Sequence, residues 1–378
     1  MSLSLPADAP HTRSLAGILP ELVAALEGRS QWLAPASGAI VFVVDGLGAH
    51  NLSARSGHAR FLTAARARKD VARTVFPSTT AAALTSLLTG VLPGQHGVVG
   101  YRALVPGTDI VANQLKGWDE GALDPLIWQR AQPILEAEAA RGRPCFVVSK
   151  PVFVNSGFTA ATLRGAEMHP AGTVTERAMI AADLVARHPG ALVYVYTPDL
   201  DAAGHKFGWE SDEWSAALER TDAAIGQMAA ALPPGAGAIV TADHGMVDVP
   251  RHRQVLLGDG DGLTDGVRHV AGEPRMLHLY AEDGRASGVL AAWRAAEGGR
   301  SWVLARDEAI GAGLFGTVDD AVRARIGDVL VAARAGIAYY DDRVADKKPQ
   351  NMVGQHGSLT PEERTVPLVR LGAFAAAR

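Results

Sequence analysis

Short apolar runs alternate along the chain with segments in which apolar residues recur at helical spacing. The runs are rich in β-branched residues and are bounded by Gly, Pro, Ser or Asp, which predicts buried strands. They are Ala39–Val44, Thr74–Phe76, Pro144–Ser149, Ala191–Tyr196 and Ala238–Ala242. The helical segments are Leu15–Leu26, Ala81–Thr89, Ile127–Ala140, Ala178–His188 and Glu213–Ala231. Such alternation predicts an α/β fold built on a doubly wound, mostly parallel sheet.

Beyond Met246 this alternation changes. A turn-rich loop at 258–262 is followed by a predicted strand at Met276–Tyr280, a helix at Ala286–Ala296 and a strand at Asp328–Ala333. Mixed elements of this kind are typical of an α+β unit. We therefore expect residues 1–246 and 351–378 to form one larger domain, with residues 247–350 inserted into it as a smaller α+β lobe.

Composition excludes several classes of protein. The chain has 378 residues with an ordinary globular balance, and its formal net charge of −4 argues against general binding of nucleic-acid polymers. Cys145 is the single cysteine, so neither an intramolecular disulfide nor a multi-cysteine zinc site can form. The segment Met1–Ser30 lacks the basic start and apolar run of a signal peptide. No apolar run approaches the ~18 residues of a membrane span, so we expect a cytoplasmic protein without a membrane partner.

Acidic and imidazole side chains stand at or just beyond the predicted strand ends. They are Asp45, Asp201, His205, Asp243 and His244, and His356 adds a sixth side chain further along. In open α/β sheets, ligands bind beyond the carboxyl ends of the strands. The four-residue spacing of Asp201 and His205 places both on one face of a helix. Asp45 alone is equally well explained as a helix cap, but the set as a whole is the N/O mixture that borderline cations such as zinc accept.

Three hydroxyl residues, Ser78-Thr79-Thr80, precede the predicted helix Ala81–Thr89. Ser and Thr are the preferred N-caps of helices. The same position suits a nucleophile, because the free N–H groups and the dipole of a helix N-terminus attract a phosphate. The two roles are compatible, so a hydroxyl here is a candidate for both.

Six segments of the chain occur in the order of a known family, between about residues 40 and 370. They are Val-Val-Asp45-Gly, Phe-Pro-Ser-Thr-Thr80 with Leu-Leu-Thr-Gly90, Pro93-Gly-Gln-His96-Gly, Pro-Asp-Leu-Asp201-Ala-Ala-Gly-His205, Thr-Ala-Asp243-His244-Gly-Met, and His356-Gly. On these segments the sequence resembles the alkaline phosphatase superfamily, and most of all its nucleotide pyrophosphatase/phosphodiesterase (type I phosphodiesterase) family. Each segment is weak alone, but the set is highly specific.

The resemblance implies an alkaline-phosphatase-like catalytic domain with two divalent metal ions, expected to be zinc, with manganese or iron as alternatives. One ion would be held by Asp201, His205 and His356. The second would be held by Asp45, Asp243 and His244, together with the oxygen of the nucleophile. The family nucleophile lies ten residues before Gly90, which is Thr80, with Thr79 as the fallback. His96 fits a turn of the family and is expected to be structural.

The activity implied is hydrolysis of a small-molecule phosphoester, such as a nucleotide, by a phosphodiesterase/nucleotide pyrophosphatase that forms a phospho-threonine intermediate. The chain departs from the family at Gly100-Tyr101, where the family usually has an Asn that contacts a phosphate oxygen. The Tyr101 hydroxyl is a candidate replacement. Lys150, at a strand end, is a second candidate phosphate contact or a solvated lysine. The departure leaves diester against monoester preference open.

Three alternatives use the same scaffold: a phosphomonoesterase, a phosphonate hydrolase and a phosphomutase. From another class comes a non-catalytic protein that binds metal ions or anions. A hydroxyl nucleophile retained beside a full ligand set speaks against this last alternative. Zinc binding without hydrolysis of any phosphoester would favour it. The leaving group and the oligomeric state are not visible in the sequence.

Overall fold

The computed structural model describes residues 4–6, 12–67, 69–118 and 121–375. The expectation for Met1–Ser30 therefore falls partly outside the described residues. Within these ranges, two larger sheets are built from the strands β1 (Gly38–Val44), β2 (Cys145–Ser149), β3 (Glu167–Pro170), β4 (Leu192–Thr197), β5 (Ala236–Thr241), β6 (Val267–Glu273), β7 (Met276–Ala281), β8 (Ser301–Ala305), β9 (Val329–Ala333) and β10 (Val369–Gly372).

The central sheet has six strands in the order β10-β5-β1-β4-β2-β3. Five of them run parallel, and β10 pairs antiparallel with β5 at one edge. Every residue of β1 is buried, as expected for a central strand that is covered by helices on both faces. The predicted α/β class with a doubly wound, mostly parallel sheet is confirmed.

The longer helices are α1 (Ile18–Leu26), α2 (Thr80–Thr89), α3 (Val174–Arg187), α4 (Asp199–Phe207), α5 (Asp212–Ala231) and α6 (Ala286–Glu297). Shorter helices span Ala49–Ala54, Arg60–Ala65, Pro93–His96, Pro125–Trp128, Ile134–Ala140, Gly157–Thr162, Arg306–Gly311, Asp320–Arg323 and Pro361–Arg364. α3 begins four residues before the predicted start because Thr173 and Glu176 form a capping box. In the described part of the chain, no helix combines the length and the apolar character needed to cross a membrane.

Two predicted elements are wrong. The strand predicted at Thr74–Phe76 lies instead at Val71–Arg73, where the backbone pairs with Arg13–Ser14 and Thr365–Pro367. Its β-branched residues suggested a strand, but the partner strands run beside the preceding three residues. The helix predicted over Ile127–Ala140 is two short helices, because Pro133 has no N–H to donate and excludes the helical conformation from the residue before it.

The second sheet is antiparallel, in the order β6-β7-β9-β8. It lies within the segment predicted as an insertion and has a hydrophobic cluster of its own that includes Trp293 and Tyr339. Short strand pairs accompany the two sheets: Val247–Asp248 with Gly354–Gln355, Gln254–Leu257 with Ala338–Asp341, and Arg102–Leu104 with Val111–Asn113. The limits 247 and 350 of the inserted lobe stay a prediction.

A buried ion pair joins the second sheet to the end of the chain. Arg275, in the turn between β6 and β7, donates two hydrogen bonds of 2.8 Å to the two carboxylate oxygens of Glu363. Glu363 also accepts from the Ser358 amide at 3.0 Å and from the Thr360 hydroxyl at 2.6 Å. This network holds the segment that follows His356 against the turn after β6.

Replacing Glu363 with alanine should lower the free energy of unfolding by about 3–5 kcal/mol, because the Arg275 guanidinium is left buried without a counter-charge. Urea unfolding measures the change. The matched control is Glu362→Ala at the neighbouring, half-buried position, for which a change of no more than about 0.5 kcal/mol is expected. Equal effects of the two variants would show that the pair does not stabilise the fold.

Candidate metal centre and active site

Parallel strands bring three acidic or imidazole side chains together at the carboxyl ends of the central strands. Asp45 directly follows β1, and Asp243 and His244 follow β5, its neighbour in the sheet. The Gly46 amide donates to Asp243 at 3.2 Å, which ties the two strand ends together. Asp45, Asp243 and His244 each offer a ligand atom within 4.8 Å of the others.

Helix α4, which follows β4, places Asp201 and His205 at the same end of the sheet. The two side chains lie one turn apart, with Nε2 of His205 3.3 Å from Oδ2 of Asp201. Gly46 has a φ of +74°, and a Cβ there would lie 3.2 Å from the Cα and Oδ1 atoms of Asp201. Glycine at this position therefore permits both the left-handed turn after β1 and the close approach of Asp201.

The three histidines share one hydrogen-bonding pattern, in which Nδ1 faces a backbone carbonyl. Nδ1 of His205 lies 2.8 Å from the Gly354 carbonyl, Nδ1 of His356 lies 3.0 Å from the Ser78 carbonyl, and Nδ1 of His244 lies 3.1 Å from the Gly245 carbonyl. A carbonyl only accepts, so each Nδ1 carries the proton and each Nε2 keeps its lone pair. A hydrogen bond from the nitrogen that does not bind the metal is the usual way in which a protein fixes a metal-ligating imidazole.

The ligand atoms form two overlapping groups. Besides the group of Asp45, Asp243 and His244, the atoms of Asp201, His244 and His356 lie within 4.8 Å of one another. The second group differs from the set implied by the resemblance, because His244 takes the place of His205. His205 stays close, with its ring 5.2 Å from that of His356. Which histidine completes the Asp201 site stays a prediction.

The donor set fits a divalent cation. Oδ1 of Asp45, Oδ1 of Asp201 and Oδ2 of Asp243 are buried and lack a hydrogen-bond partner within the described residues. Unpartnered buried carboxylate oxygens are costly unless an ion neutralises them. Burial, followed by the charges of Asp243 and Asp201, raises the pKa of Asp45. Burial, followed by the charges of His244 and His205, lowers the pKa of His356.

Thr80 is the first residue of α2 and is buried beside this cluster. Its Oγ1 lies 3.1 Å from Nε2 of His244, and the hydroxyl donates there because the proton of that imidazole is on Nδ1. The Thr79 hydroxyl donates instead to the buried carboxyl of Glu273. The neighbouring threonines therefore have different partners, and it is Thr80 that contacts the predicted ligands.

The candidate substrate contacts differ in placement. Tyr101 lines a cavity of about 860 Å³ whose lining also includes Asp45, Thr80, Asp201 and His356. Lys150 does not line this cavity within the described residues, and its ammonium pairs with Asp199. The structure thus places Tyr101, but not Lys150, on the wall of the cavity that the cluster also lines.

His96 is fully buried, 2.8 Å from the Ser86 hydroxyl through Nε2, and it accepts from the Val98 amide through Nδ1. Burial lowers its pKa to about 3. This imidazole is hydrogen-bonded to α2 on one side and to its own turn on the other, and its structural role stays a prediction.

Two side chains near the cluster were not found from the sequence. Tyr196, at the end of β4, donates a short hydrogen bond to Oδ2 of Asp45. The pKa of Tyr196 is raised, mainly by burial and to a smaller extent by the charges of Asp45 and Asp243, so the hydroxyl keeps its proton. The carboxyl of Glu273 lies 3.7 Å from Nδ1 of His356, and burial raises the pKa of Glu273 to about 8. For Tyr196, the one available signal was its place on the same face of β4 as Tyr194.

Replacing Tyr196 with phenylalanine should weaken divalent-metal binding about 10–100-fold, because the hydroxyl directs Oδ1 of Asp45 toward the cluster. Competition with a chromophoric chelator measures the affinity, and the absorption bands of bound Co²⁺ report the change in ligand geometry. Tyr101→Phe, in the same cavity, is the control and should leave metal affinity unchanged. Unaltered binding and spectra in Tyr196→Phe would remove this role.

A family model described as "Type I phosphodiesterase / nucleotide pyrophosphatase" matches residues 39–359 of the chain. Two curated relatives named phosphopentomutase, from Methylobacterium nodulans and a Methylobacterium species, are 33% and 37% identical over 145 and 144 residues. Each match covers 35% of this chain and 33% of the relative. An uncharacterized pyrophosphatase/phosphodiesterase of Schizosaccharomyces pombe is 24% identical over 205 residues, covering 50% of this chain and 40% of that protein. The chain thus matches well under half the length of these relatives.

Solved structures share the fold. Murine ectonucleotide pyrophosphatase/phosphodiesterase 5 superposes with a TM-score of 0.67 and 17% identity, covering 88% of this chain and 87% of that chain. Another structure of that murine protein is described as inactive and in complex with AMP. Phosphonoacetate hydrolase of Sinorhizobium meliloti, in complex with phosphonoacetate, gives a TM-score of 0.68 and 20% identity, covering 89% and 91%. At these identities the likeness establishes the common α/β architecture.

Proposed function

Since the chain belongs to the type I phosphodiesterase/nucleotide pyrophosphatase family, an enzyme family that hydrolyses phosphoesters, we propose that it is a metal-dependent phosphodiesterase whose nucleophile is Thr80. One observation carries the proposal. The Thr80 hydroxyl lies 3.1 Å from Nε2 of His244. It stands beside three carboxylates, each with one buried oxygen that has no hydrogen-bond partner among the described residues. A hydroxyl at the start of a helix, among groups suited to cations, is placed to attack an anionic ester.

The residues that would hold two divalent ions are those that the resemblance implied. Asp201, His205 and His356 would form one site, and Asp45, Asp243, His244 and the Thr80 oxygen would form the other. We propose zinc, since the set mixes imidazole and carboxylate ligands. When bound, such ions lower the pKa of a coordinated hydroxyl and offset charge on the leaving oxygen.

The chain's own residues account for the order of events. The Thr80 oxygen, having released its proton to solvent, would form a bond to phosphorus while the bond from phosphorus to the leaving oxygen breaks. The leaving group would depart as an alkoxide or phenolate, and an alkoxide would take up a proton from solvent. The N–H groups at the start of α2 face the anionic oxygens of the phosphoryl group. Water then attacks phosphorus, the bond to the Thr80 oxygen breaks, and the hydroxyl is restored. The intermediate is a phospho-threonine.

A diester should be cleaved faster than the matching monoester. A monoester at neutral pH carries up to two negative charges. Beyond the two proposed ions, the described cavity-lining residues offer Lys116 as the single Lys or Arg to meet the additional charge. We expect kcat/KM for 4-nitrophenyl thymidine 5′-phosphate to exceed that for 4-nitrophenyl phosphate by at least about tenfold, equivalent to about 1.4 kcal/mol of transition-state stabilisation. Release of nitrophenolate measures both rates.

Equal or reversed rates would move the assignment to a phosphomonoesterase. The partial matches to phosphopentomutases and the fold shared with phosphonoacetate hydrolase name the other outcomes. A pentose phosphate isomerised without release of phosphate would identify a mutase. Release of phosphate from phosphonoacetate would identify a phosphonate hydrolase. Metal binding without turnover of any of these compounds would leave a binding protein.

A further inference from the structure

The cavity beside Thr80 has an apolar wall on one side. The segment 152–163, which follows β2, contributes Val152, Phe153, Phe158 and Leu163. Leu84 and Leu115 contribute to the lining from other segments. Phe153 packs edge-on against Tyr196, with ring centroids 5.8 Å apart, and this joins the wall to the residue that contacts Asp45. The apolar surface therefore begins within one side chain of the candidate catalytic cluster.

The hydroxyls of this segment are already engaged within it. Ser156 Oγ donates to Thr159 Oγ1 at 3.1 Å and accepts from the Thr159 amide at 3.2 Å. Thr159 Oγ1 donates to the Phe153 carbonyl at 2.7 Å. Each of these two hydroxyls has therefore used its single proton, and a sugar placed against this wall would find no hydroxyl donor from Ser156 or Thr159 to replace its hydrogen bonds to water. A hydrocarbon group placed there would lose none.

The exposure of Val152 points the same way. Val152 is 74% exposed, although it stands on the wall of a cavity. Large apolar side chains left open beside a site lose contact with water only when a ligand covers them. An apolar group bound at the wall would therefore remove both its own surface and that of Val152 from water.

The charges of the cavity limit what the remainder of the substrate can be. Apart from the histidines, the described lining residues of basic or acidic type are Lys116 and three acids, Asp45, Asp201 and Glu273. The pyrophosphate portion of a nucleoside triphosphate carries several negative charges, and proteins usually meet such groups with clusters of Arg and Lys. With the two proposed divalent ions engaged at the reacting phosphate, the single Lys leaves little positive charge for further phosphates and suits a substrate with one negative charge.

We propose that the preferred substrate is a monoanionic phosphodiester in which one ester group is an alkyl or aryl body that binds against the wall formed by 152–163. This inference rests on the proposed function, because it assumes that Thr80 attacks a diester. It narrows that function, since nucleotides and sugar phosphates become poorer substrates than hydrocarbon esters of the same charge.

A series of n-alkyl 4-nitrophenyl phosphates, from methyl to octyl, tests the inference with the purified full-length chain loaded with zinc. The leaving group is constant, so the series varies the binding of the alkyl group alone. kcat/KM should rise about threefold to fourfold per methylene until the wall is covered, because burying each additional methylene strengthens binding of the transition state by about that factor. The hexyl ester should also exceed 4-nitrophenyl thymidine 5′-phosphate.

Val152→Ser should flatten this dependence on chain length, because it replaces an exposed apolar side chain of the wall with a polar one. Ile127→Ser is the matched control. Ile127 is 69% exposed but does not line the cavity, and its replacement should leave the slope of the series unchanged. Both substitutions are at exposed positions, so folding is preserved.

The outcomes separate the two proposals. If no diester is hydrolysed, or if Thr80→Ala hydrolyses diesters like the wild type, the proposed function fails. If diesters are hydrolysed through Thr80 but methyl and hexyl esters react equally, or if the nucleotide ester or ATP is preferred, only the inference about the apolar ester group is overturned. An equal loss of slope in Val152→Ser and Ile127→Ser would also overturn it.

Discussion

Thr80→Ala is expected to abolish turnover of phosphodiesters, with kcat reduced by at least about three to four orders of magnitude. The substitution removes the oxygen that would form the bond to phosphorus, and the described residues around the cluster offer no second hydroxyl with the same contact to His244. The metal content should be unchanged, because the three carboxylates and three imidazoles remain. Release of nitrophenolate and elemental analysis of the same sample measure both properties.

The neighbouring threonine supplies the control. Thr79→Ala removes a hydroxyl that donates to Glu273 rather than to the ligand cluster, so this variant should retain most of the activity. The opposite pattern, an active Thr80→Ala and an inactive Thr79→Ala, would move the nucleophile by one residue. Thr80→Ser, which keeps the oxygen, should recover part of the activity, and it separates a loss of chemistry from a loss of packing.

Removal of divalent ions is the second large effect that we expect. A chelator should eliminate hydrolysis, and it should also lower the thermal stability. Oδ1 of Asp45, Oδ1 of Asp201 and Oδ2 of Asp243 have no hydrogen-bond partner in the described part of the chain, and these carboxylates are left to repel one another once the ion is gone. An ion present at about 100 times its dissociation constant stabilises the folded state by about 2.7 kcal/mol. Calorimetric melting with and without zinc measures the shift in Tm.

The same melting experiment on Thr80→Ala keeps this prediction independent of catalysis. The variant should show a zinc-dependent shift close to that of the wild type, although it does not turn over substrate. Zinc should restore activity to the chelated wild type. A protein that hydrolyses diesters at full rate in excess chelator, or that melts at the same temperature with and without divalent ions, would contradict a metal centre.

The fold was largely predictable because its central strands are continuous apolar runs. All seven residues of β1 are buried, and such a run has few alternatives to a central strand. The errors arose where local preference and tertiary partners disagree. Thr74 and Val75 are β-branched, yet it is Val71–Arg73 that pairs with the neighbouring strands. The break near Pro133 follows from backbone chemistry that an apolar pattern alone does not express.

The meeting of acidic residues at the carboxyl ends of the central strands was also predictable. Residues that end neighbouring parallel strands meet there, so Asp45 and Asp243 can be placed together from the sequence. The hydrogen bond between Tyr196 and Asp45 joins residues 151 positions apart, and neither side chain carries a local signal of it. Oδ2 of Asp201 lies 3.3 Å from Nε2 of His205, while Asp201, His244 and His356 have ligand atoms within 4.8 Å of one another. Spacing along the chain does not determine which imidazole completes this site.

Anomalous X-ray diffraction from crystals grown with zinc tests the central claim most directly, because it locates the ions without reference to activity. Data collected on both sides of the zinc absorption edge should give two peaks. One peak should lie among Asp45, Asp243 and His244 beside the Thr80 oxygen, and the other should lie by Asp201 and His356. Peaks confined to other parts of the molecule, or a Thr80 side chain turned away from occupied sites, would contradict the account.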